Sequence, residues 1–249
     1  MNKKVFVYGA TSAIAQEVMK IWAKRGYSMH LVSRSQEKLE AVIGDLKIRN
    51  SSVSISHSIS DATDYSSHTN AINEGIQEHQ RFDIYLIAHG SLPDQESIQN
   101  DTSASLKEFE VNATSYISLL TEIASQREKD SGKSTLAVIS SVAGERGRKA
   151  LYLYSAAKAA VTQYLSGLRQ RFVEKSNITI LTIKPGIINT PMTADLPDSP
   201  LATDAPKAAK LIAKAIESGD EVAYIPGFWK PIMSVIKHIP ESIFKKLKF

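Results

Sequence analysis

The sequence predicts an α/β fold, a doubly wound parallel sheet of about seven strands with helices on both faces. Short apolar runs alternate with helix-period segments along the chain, and this alternation sets successive strands parallel through right-handed crossovers. The first apolar run passes straight into a turn of small residues that opens a helical pattern. Glycine and proline fall at segment ends, with no internal repeat or linker, as a single domain would have them.

Lys4-Val5-Phe6-Val7-Tyr8 suits a buried strand, and Gly9-Ala10-Thr11-Ser12-Ala13-Ile14-Ala15 leads from it into a helix through Lys24. Strand, small-residue turn and helix is the local architecture of a dinucleotide phosphate site. The helix N-terminus offers free N–H groups and a favourable dipole, and small side chains let the backbone approach a pyrophosphate. The same segment also reads as a tight turn that binds nothing. Ser28 to Ser33 is the second strand. An acidic residue at its end would bind both ribose hydroxyls of NAD; here Ser33 is followed by Arg34, whose guanidinium suits a 2′-phosphate. NADP(H) is therefore favoured over NAD(H), with a solvated arginine at a helix start as the alternative.

Ser35 is placed to cap a helix reaching Leu46, and Val53 to Ile59, alternating with serines and His57, reads as a half-buried strand. Asp61-Ala62-Thr63-Asp64 closes it; Asp64 caps the helix from Ser66 to His79, and Asp61 lies where an adenine amino group can be met. Phe82 to Ala88 is the fourth strand, and His89-Gly90 ends it on the side where ligands collect. Ser103 to Arg127 reads as one long helix with Asn112 in its interior. Asparagine is a poor interior residue unless its side chain is hydrogen-bonded. Ser134 to Ser141 is the fifth strand, Tyr152 to Phe172 a long helix, and Ile178 to Lys184 the sixth strand, stopped by Pro185-Gly186. A helix from Pro206 to Ser218 and a strand from Glu221 to Ile225 follow.

With 249 residues, the chain is long enough for one substantial domain with a large core. Cysteine is absent, which excludes disulfides, thiol catalysis and cysteine-ligated metal; no metal site is expected. No segment has the length of a membrane span and no signal peptide is read, so a cytoplasmic protein is expected. The net charge of +4 is concentrated at the end of the chain: Phe228 to Phe249 carries five lysines against the single Glu241. A general nucleic-acid-binding face is not indicated. The expected organisation is a domain over 1–227 and a basic amphipathic tail over 228–249, two short helices split at Pro240. The tail either lies on an anionic membrane surface or packs on protein.

The chemistry centres on Tyr154 and Lys158. Four residues apart on one helix, they share a face, and an ammonium close to a phenol favours the phenolate and lowers its pKa. Such a pair can donate and accept a proton near neutral pH; it can equally be an ordinary surface pair.

With Ser141 thirteen residues before Tyr154 at a strand end, Tyr154-x-x-x-Lys158 resembles the catalytic signature of the short-chain dehydrogenases/reductases. The resemblance covers nearly the whole chain. Asn112 falls where that family has its fourth catalytic residue, Pro185-Gly186 through Ile188 to Thr190 match its P-G-x-x-x-T nicotinamide turn, and Asp61-Ala62 match its adenine-side pair. Two places depart. The family's T-G-x-x-x-G-x-G is here Tyr8-Gly9-Ala10-Thr11-Ser12-Ala13-Ile14-Ala15, and its N-N-A-G is Ile87-Ala88-His89-Gly90.

The resemblance implies a Rossmann-type NAD(P)-binding fold and transfer of hydride between NADPH and a carbonyl or alcohol. Tyr154 would be the proton donor, Ser141 would hold the substrate oxygen, Lys158 would lower the Tyr154 pKa and bind the nicotinamide ribose, and Asn112 would fix a water. Gly9, Thr11, Ser12, Ala13, Ile14, Ser33, Arg34, Asp61, Ala62, Ala88, His89, Gly90, Tyr154, Lys158, Pro185, Gly186, Ile188 and Thr190 would line the cofactor. A homodimer or homotetramer is implied as well. The loop Gly144-Glu145-Arg146-Gly147-Arg148-Lys149 carries three basic residues, suited to a phosphate or carboxylate or simply solvated. It resembles that of decaprenylphosphoryl ketopentose (2-keto sugar) reductases, which act on a lipid-linked sugar. With the tail, this suggests an anionic small-molecule substrate handled peripherally at the inner membrane surface. A non-catalytic dinucleotide sensor or a membrane-surface scaffold on the same fold is the alternative.

Overall fold

The structure, a computed structural model, describes residues 2–175 and 177–247. Seven strands form one parallel sheet: β1 (Lys4–Tyr8), β2 (Ser28–Ser33), β3 (Ile55–Ile59), β4 (Ile84–Ile87), β5 (Ser134–Ile139), β6 (Ile178–Pro185) and, last in the chain, Val222–Ile225, in the order β3-β2-β1-β4-β5-β6 and then that last strand. The chain winds outward from β1 to β3, returns to the far side of β1 with β4, and winds outward again. The order therefore reverses between β1 and β4, which opens a crevice at the carboxyl ends of those two strands.

Both faces of the sheet are buried, so the strands read as near-continuous apolar runs. Val5 and Val7 of β1 point to one core, shared with Val18, Met19 and Trp22 of α1 (Ala13–Lys24). Phe6 and Tyr8 point to the other, shared with Tyr116 and Leu120. Val18, Met19 and Trp22 are fully buried, and burial of such side chains contributes roughly 1.5–3 kcal/mol each. α2 (Gln36–Arg49) and α3 (Tyr65–His79) begin as the sequence predicts: the Ser35 side chain accepts from Lys38 N, and the Asp64 carboxylate accepts from Ser66 N at 3.2 Å.

The helix expected over Ser103 to Arg127 is in fact three pieces: α5 (Thr102–Phe109) after the short α4 (Gln95–Ile98), a π-turn over Glu110–Thr114, and α6 (Ser115–Glu128). Local side chains compete for the carbonyls here. Thr114 Oγ1 donates to Glu110 O at 3.2 Å, Ser115 Oγ to Val111 O at 2.7 Å and Asn112 Nδ2 to Glu108 O at 3.1 Å. Back-bonding of this kind loosens a helix, and a π-bulge re-aims the side chains on it.

After α7 (Tyr152–Arg171) and β6, a two-stranded ladder of β7 (Ile188–Asn189) and β8 (Thr203–Asp204) brackets a loop, and α8 (Ala205–Ser218) leads to the last sheet strand, β9 (Val222–Ile225). Two short helices end the described chain, α9 (Trp229–His238) and α10 (Glu241–Phe244), on either side of Pro240. Trp229, Met233 and Phe244 are buried. Trp229 and Met233 pack with Val142 of the segment that leaves β5. The expected basic positions Lys230, Lys237, Lys245 and Lys246 are described, whereas Lys248 and Phe249 lie outside the described residues.

Candidate active site

The crevice between β1 and β4 continues into a cavity of about 140 Å³ whose wall includes Ser12, Gly90, Ser141, Tyr154, Lys158 and Gly186. Tyr154 and Lys158 share α7 and the others come from separate segments, so the parallel sheet is what gathers them. A second cavity of about 520 Å³ adjoins it under the β7–β8 loop and shares Thr190, Thr193 and Leu196 with it.

At the first crossover, Gly9 has φ +83°, and any Cβ there would press into the His89 backbone, with His89 Cα at 2.7 Å. Only glycine satisfies both conditions, which accounts for the one family glycine retained in this turn. Gly9 N and Ala10 N both donate to Val32 O, at 2.9 and 3.0 Å. Ser12 stands at the N-cap with extended backbone and no side-chain cap, leaving the amide end of α1 facing the cavity through Ser12 and Ile14. Ala13 opens the helix itself. Thr11 Oγ1 and Ser33 Oγ share a hydrogen bond at 3.2 Å, tying the turn to the end of β2. Ser33 is buried and Arg34 exposed. The Arg34 charge helps hold the Asp61 carboxyl below its ordinary range, after the larger effect of the Thr63 N–H and hydroxyl. Arg34, Asp61 and Ala62 thus sit together at the outer end of the crevice, beyond the cavity.

At the inner end, Gly90 has φ +148°, and a Cβ on it would lie 2.9 Å from Asn112 Oδ1 and 3.6 Å from Lys158 Nζ. These two groups therefore face a common gap. Asn112 is fixed by its neighbours: Oδ1 accepts from Ser91 N at 3.1 Å and Nδ2 donates to Ser91 Oγ at 3.0 Å. The π-turn is what brings this asparagine to the gap.

His89 follows Ala88 on the cavity wall. Its ring stacks on Tyr116 at 4.1 Å between centroids, and its carbonyl accepts from the Tyr116 hydroxyl. Ser115 Oγ already donates to Val111 O, so its 2.8 Å contact with His89 Nε2 makes that nitrogen the N–H donor. His89 Nδ1 is then an acceptor, buried and without a partner among the described residues. Burial, followed by Lys158 and His68, pushes the His89 pKa well below the ordinary range and keeps the ring neutral.

Ser141 lies two residues past the end of β5 and caps the short turn Val142–Glu145, its hydroxyl accepting from Ala143 N at 3.1 Å. The Tyr154 phenol is its hydrogen-bond partner as well. The Lys158 amine, 2% exposed, donates to Tyr116 OH at 3.2 Å and to Ile139 O at 3.4 Å and stands 5.7 Å from the Tyr154 ring centroid. Burial dominates both titrations. It pushes Tyr154 up to about 12 against the opposing bond from Ser141, and Lys158 down to about 7. The expected lowering of the phenol by its lysine is therefore corrected: dehydration outweighs the distant ammonium, whose own charge is penalised.

Pro185, Gly186, Ile188 and Thr190 line the opposite wall. The Gly186 amide donates to Ile225 O at 2.9 Å, and the Trp229 indole fills the space where a Gly186 side chain would be. Trp229 Nε1 is buried and, among the described residues, unpartnered.

Sequence reasoning did not find Tyr116 or Trp229 as parts of the site, nor the buried pair behind it. Glu145 Oε1 accepts from Lys184 Nζ at 2.6 Å and from Tyr224 OH at 2.5 Å, with Lys237 of α9 3.5 Å from Oε2. Of these, Tyr116 had a usable signal: it lies four residues after Asn112, next to it on one helix face.

The retained Gly9, the uncapped start of α1, and the unpartnered His89 Nδ1 on the wall suit a dinucleotide lying along the crevice from Arg34 to Gly186.

Comparison with known proteins agrees with this geometry. A family model described as short chain dehydrogenase matches residues 3–200. An uncharacterized oxidoreductase of Mycobacterium tuberculosis is 26% identical over 243 residues, 98% of this chain and 96% of the relative. Among solved structures, a short chain dehydrogenase from Burkholderia cenocepacia in complex with NADP superposes with a TM-score of 0.82 at 17% identity, covering 100% of this chain and 98% of that one. One from Mycobacterium paratuberculosis bound to NAD superposes with 0.78 at 18% identity, covering 90% and 96%. These two likenesses concern the fold.

Proposed function

We infer that this chain, which belongs to the short-chain dehydrogenase family, is an NADPH-dependent oxidoreductase that interconverts a carbonyl and an alcohol on a phosphate-bearing or lipid-linked sugar. The family makes it an NAD(P)-dependent dehydrogenase/reductase; the NADPH preference and the sugar are our reading. The observation that carries the reaction type is the meeting of Ser141, Tyr154 and Lys158 on one cavity wall.

In this reading Gly9, Thr11, Ser12, Ala13 and Ile14 hold the pyrophosphate, Ser33 and Arg34 the 2′-phosphate, Asp61 and Ala62 the adenine. Ala88, His89 and Gly90 flank the middle of the cofactor, and Pro185, Gly186, Ile188 and Thr190 its nicotinamide end. Bound there, the cofactor supplies the hydride. Tyr154 gives its proton to the carbonyl oxygen, and Ser141 donates to the same oxygen, so that charge developing there meets two fixed donors. Lys158 holds the nicotinamide ribose, and Asn112 fixes a water in the gap beside Gly90 that links Lys158 to solvent. Following NADPH absorbance against a panel of ketones, keto-sugars and their phosphates tests the reading; no oxidation with any of them leaves the dinucleotide-sensor alternative.

Cofactor choice rests on Arg34, exposed beside Asp61 with no acidic residue at the end of β2. Arg34→Ala is expected to lower kcat/KM for NADPH by about 10–100-fold, the loss of one or two charge-assisted hydrogen bonds, while leaving NADH within a few-fold. An unchanged NADPH/NADH ratio refutes the assignment.

We also propose the division into a domain over 1–227 and a tail over 228–249, cytoplasmic in location, in homodimers or homotetramers. The tail reading we prefer is packing on protein. Arg146 donates to Lys237 O and Ile239 O at 3.0 Å each, pairs with Glu241 at 2.7 Å, and lies 4.1 Å over the Phe244 ring. The membrane reading is second, favoured by exposed Val235 and Ile243 beside lysines; no helix among the described residues is long and apolar enough to cross a membrane. Phosphatidylglycerol vesicles at low salt are expected to sediment neither the wild type nor a Lys230, Lys245 and Lys246→Gln variant. Co-sedimentation of the wild type alone reverses the order of the two readings.

A further inference from the structure

The basic loop after β5 does not present its charges equally. Arg146 is spent on the tail and Glu241, and Lys149 is exposed. Nearby, Lys184 and Lys237 both pair with Glu145. Arg148 differs from all of these. It lines the cavity that holds Ser141, Tyr154 and Lys158, it is half-buried, and among the described residues its guanidinium has neither a hydrogen bond nor an ion pair. Burial holds its pKa below the ordinary arginine value, with no carboxylate acting against it. The cavity around it otherwise presents backbone, hydroxyls, the neutral His89 ring, the Asn112 amide, the Trp229 indole and apolar groups such as Leu151 and Leu196, with no carboxylate among its lining residues, and Lys158, the other cation there, is engaged with Tyr116 and Ile139 O.

A half-dehydrated guanidinium without a counter-ion is costly to maintain, and its planar fork fits the two oxygens of a carboxylate or phosphate. We propose that Arg148 is the specificity-determining residue of the substrate cavity: it receives an oxyanion, carboxylate or phosphate, carried by the carbonyl compound that Tyr154 and Ser141 address. This deepens the oxidoreductase reading and rests on it for the identity of the ligand as substrate.

The test uses two matched probe pairs, ribulose 5-phosphate with ribulose and 4-oxopentanoate with its methyl ester. Binding to the NADPH complex of the full chain is measured calorimetrically in a Tyr154→Phe background, and turnover is measured with Tyr154 present. In each background Arg148 is compared with Arg148→Met and Arg148→Lys. The anionic member of at least one pair is expected to bind about 10–100-fold tighter than its neutral partner, with Arg148→Met bringing that ratio near one and Arg148→Lys keeping part of it. The pair that responds identifies the oxyanion. Equal affinity within both pairs, no binding of either anion, or a ratio that survives Arg148→Met overturns the proposal. If the ratio behaves as expected but no carbonyl is reduced, the oxidoreductase reading fails and the anion site stands; turnover of neutral ketones with no anion preference fails Arg148 alone.

Discussion

Tyr154→Phe is expected to reduce kcat for carbonyl reduction by at least about a thousand-fold, near the upper range for loss of a general acid, while the dissociation constant for NADPH changes by less than about three-fold. The substitution removes one oxygen and leaves the ring, which is half-buried on α7. At a pKa near 12, the phenol keeps its proton across the working range, so in the proposed role it would donate without a competing ionised fraction. The bond from Ser141 opposes burial and favours the phenolate that remains after transfer. Stopped-flow turnover beside NADPH fluorescence titration separates the two effects. A variant that binds NADPH normally and retains a tenth or more of wild-type turnover means that another group delivers the proton.

Much of this could be read in the residues because the features concerned are local. The β1 turn, the Asp64 cap and the four-residue step from Tyr154 to Lys158 are set by neighbours in sequence. The parallel sheet covered on both faces was implied by strand and helix alternation. What escaped depended on distance along the chain. Nothing around Asn112 shows that Ser91, twenty-one residues earlier, will anchor it, and of the three side chains that bond back to carbonyls at the π-turn, Asn112, Thr114 and Ser115, only the first stood out in the sequence. Glu145, Lys184, Tyr224 and Lys237 come from four segments, and only the fold joins them. The basic loop looked uniform in sequence, yet Arg146 faces the tail and Arg148 the cavity, a difference tied to the acceptors that Lys237, Ile239 and Glu241 offer Arg146 from a distant segment. The sign of the Tyr154 shift was misjudged for the same reason: spacing gives proximity, but burial of both partners is a property of the whole domain.

Lys158→Met should abolish useful turnover and at the same time make the protein more stable at pH 6. The amine is 2% exposed, and burial lowers its pKa from 10.5 to about 7. Below pH 7 the lysine is charged in both the folded and unfolded states, and the folded state carries the full dehydration cost. Between 7 and 10.5 the unfolded chain binds more protons, so wild-type stability rises with pH through that window. A shift of this size corresponds at most to roughly 5 kcal/mol at about 1.4 kcal/mol per unit, and relaxation and the lost bonds to Tyr116 and Ile139 O reduce the net gain to about 1–3 kcal/mol. For a domain of this length that is an increase in Tm on the order of 3–10 °C at pH 6, shrinking toward zero by pH 10. Meanwhile kcat/KM should fall by at least about a hundred-fold, because the group proposed to hold the ribose beside Tyr154 is gone. Scanning calorimetry of both proteins at pH 6, 8 and 10 reads the difference directly. A gain that does not depend on pH, or one that grows toward pH 10, means that the amine is not a dehydrated cation in the folded state, and the site must then be rebuilt around a lysine that water reaches.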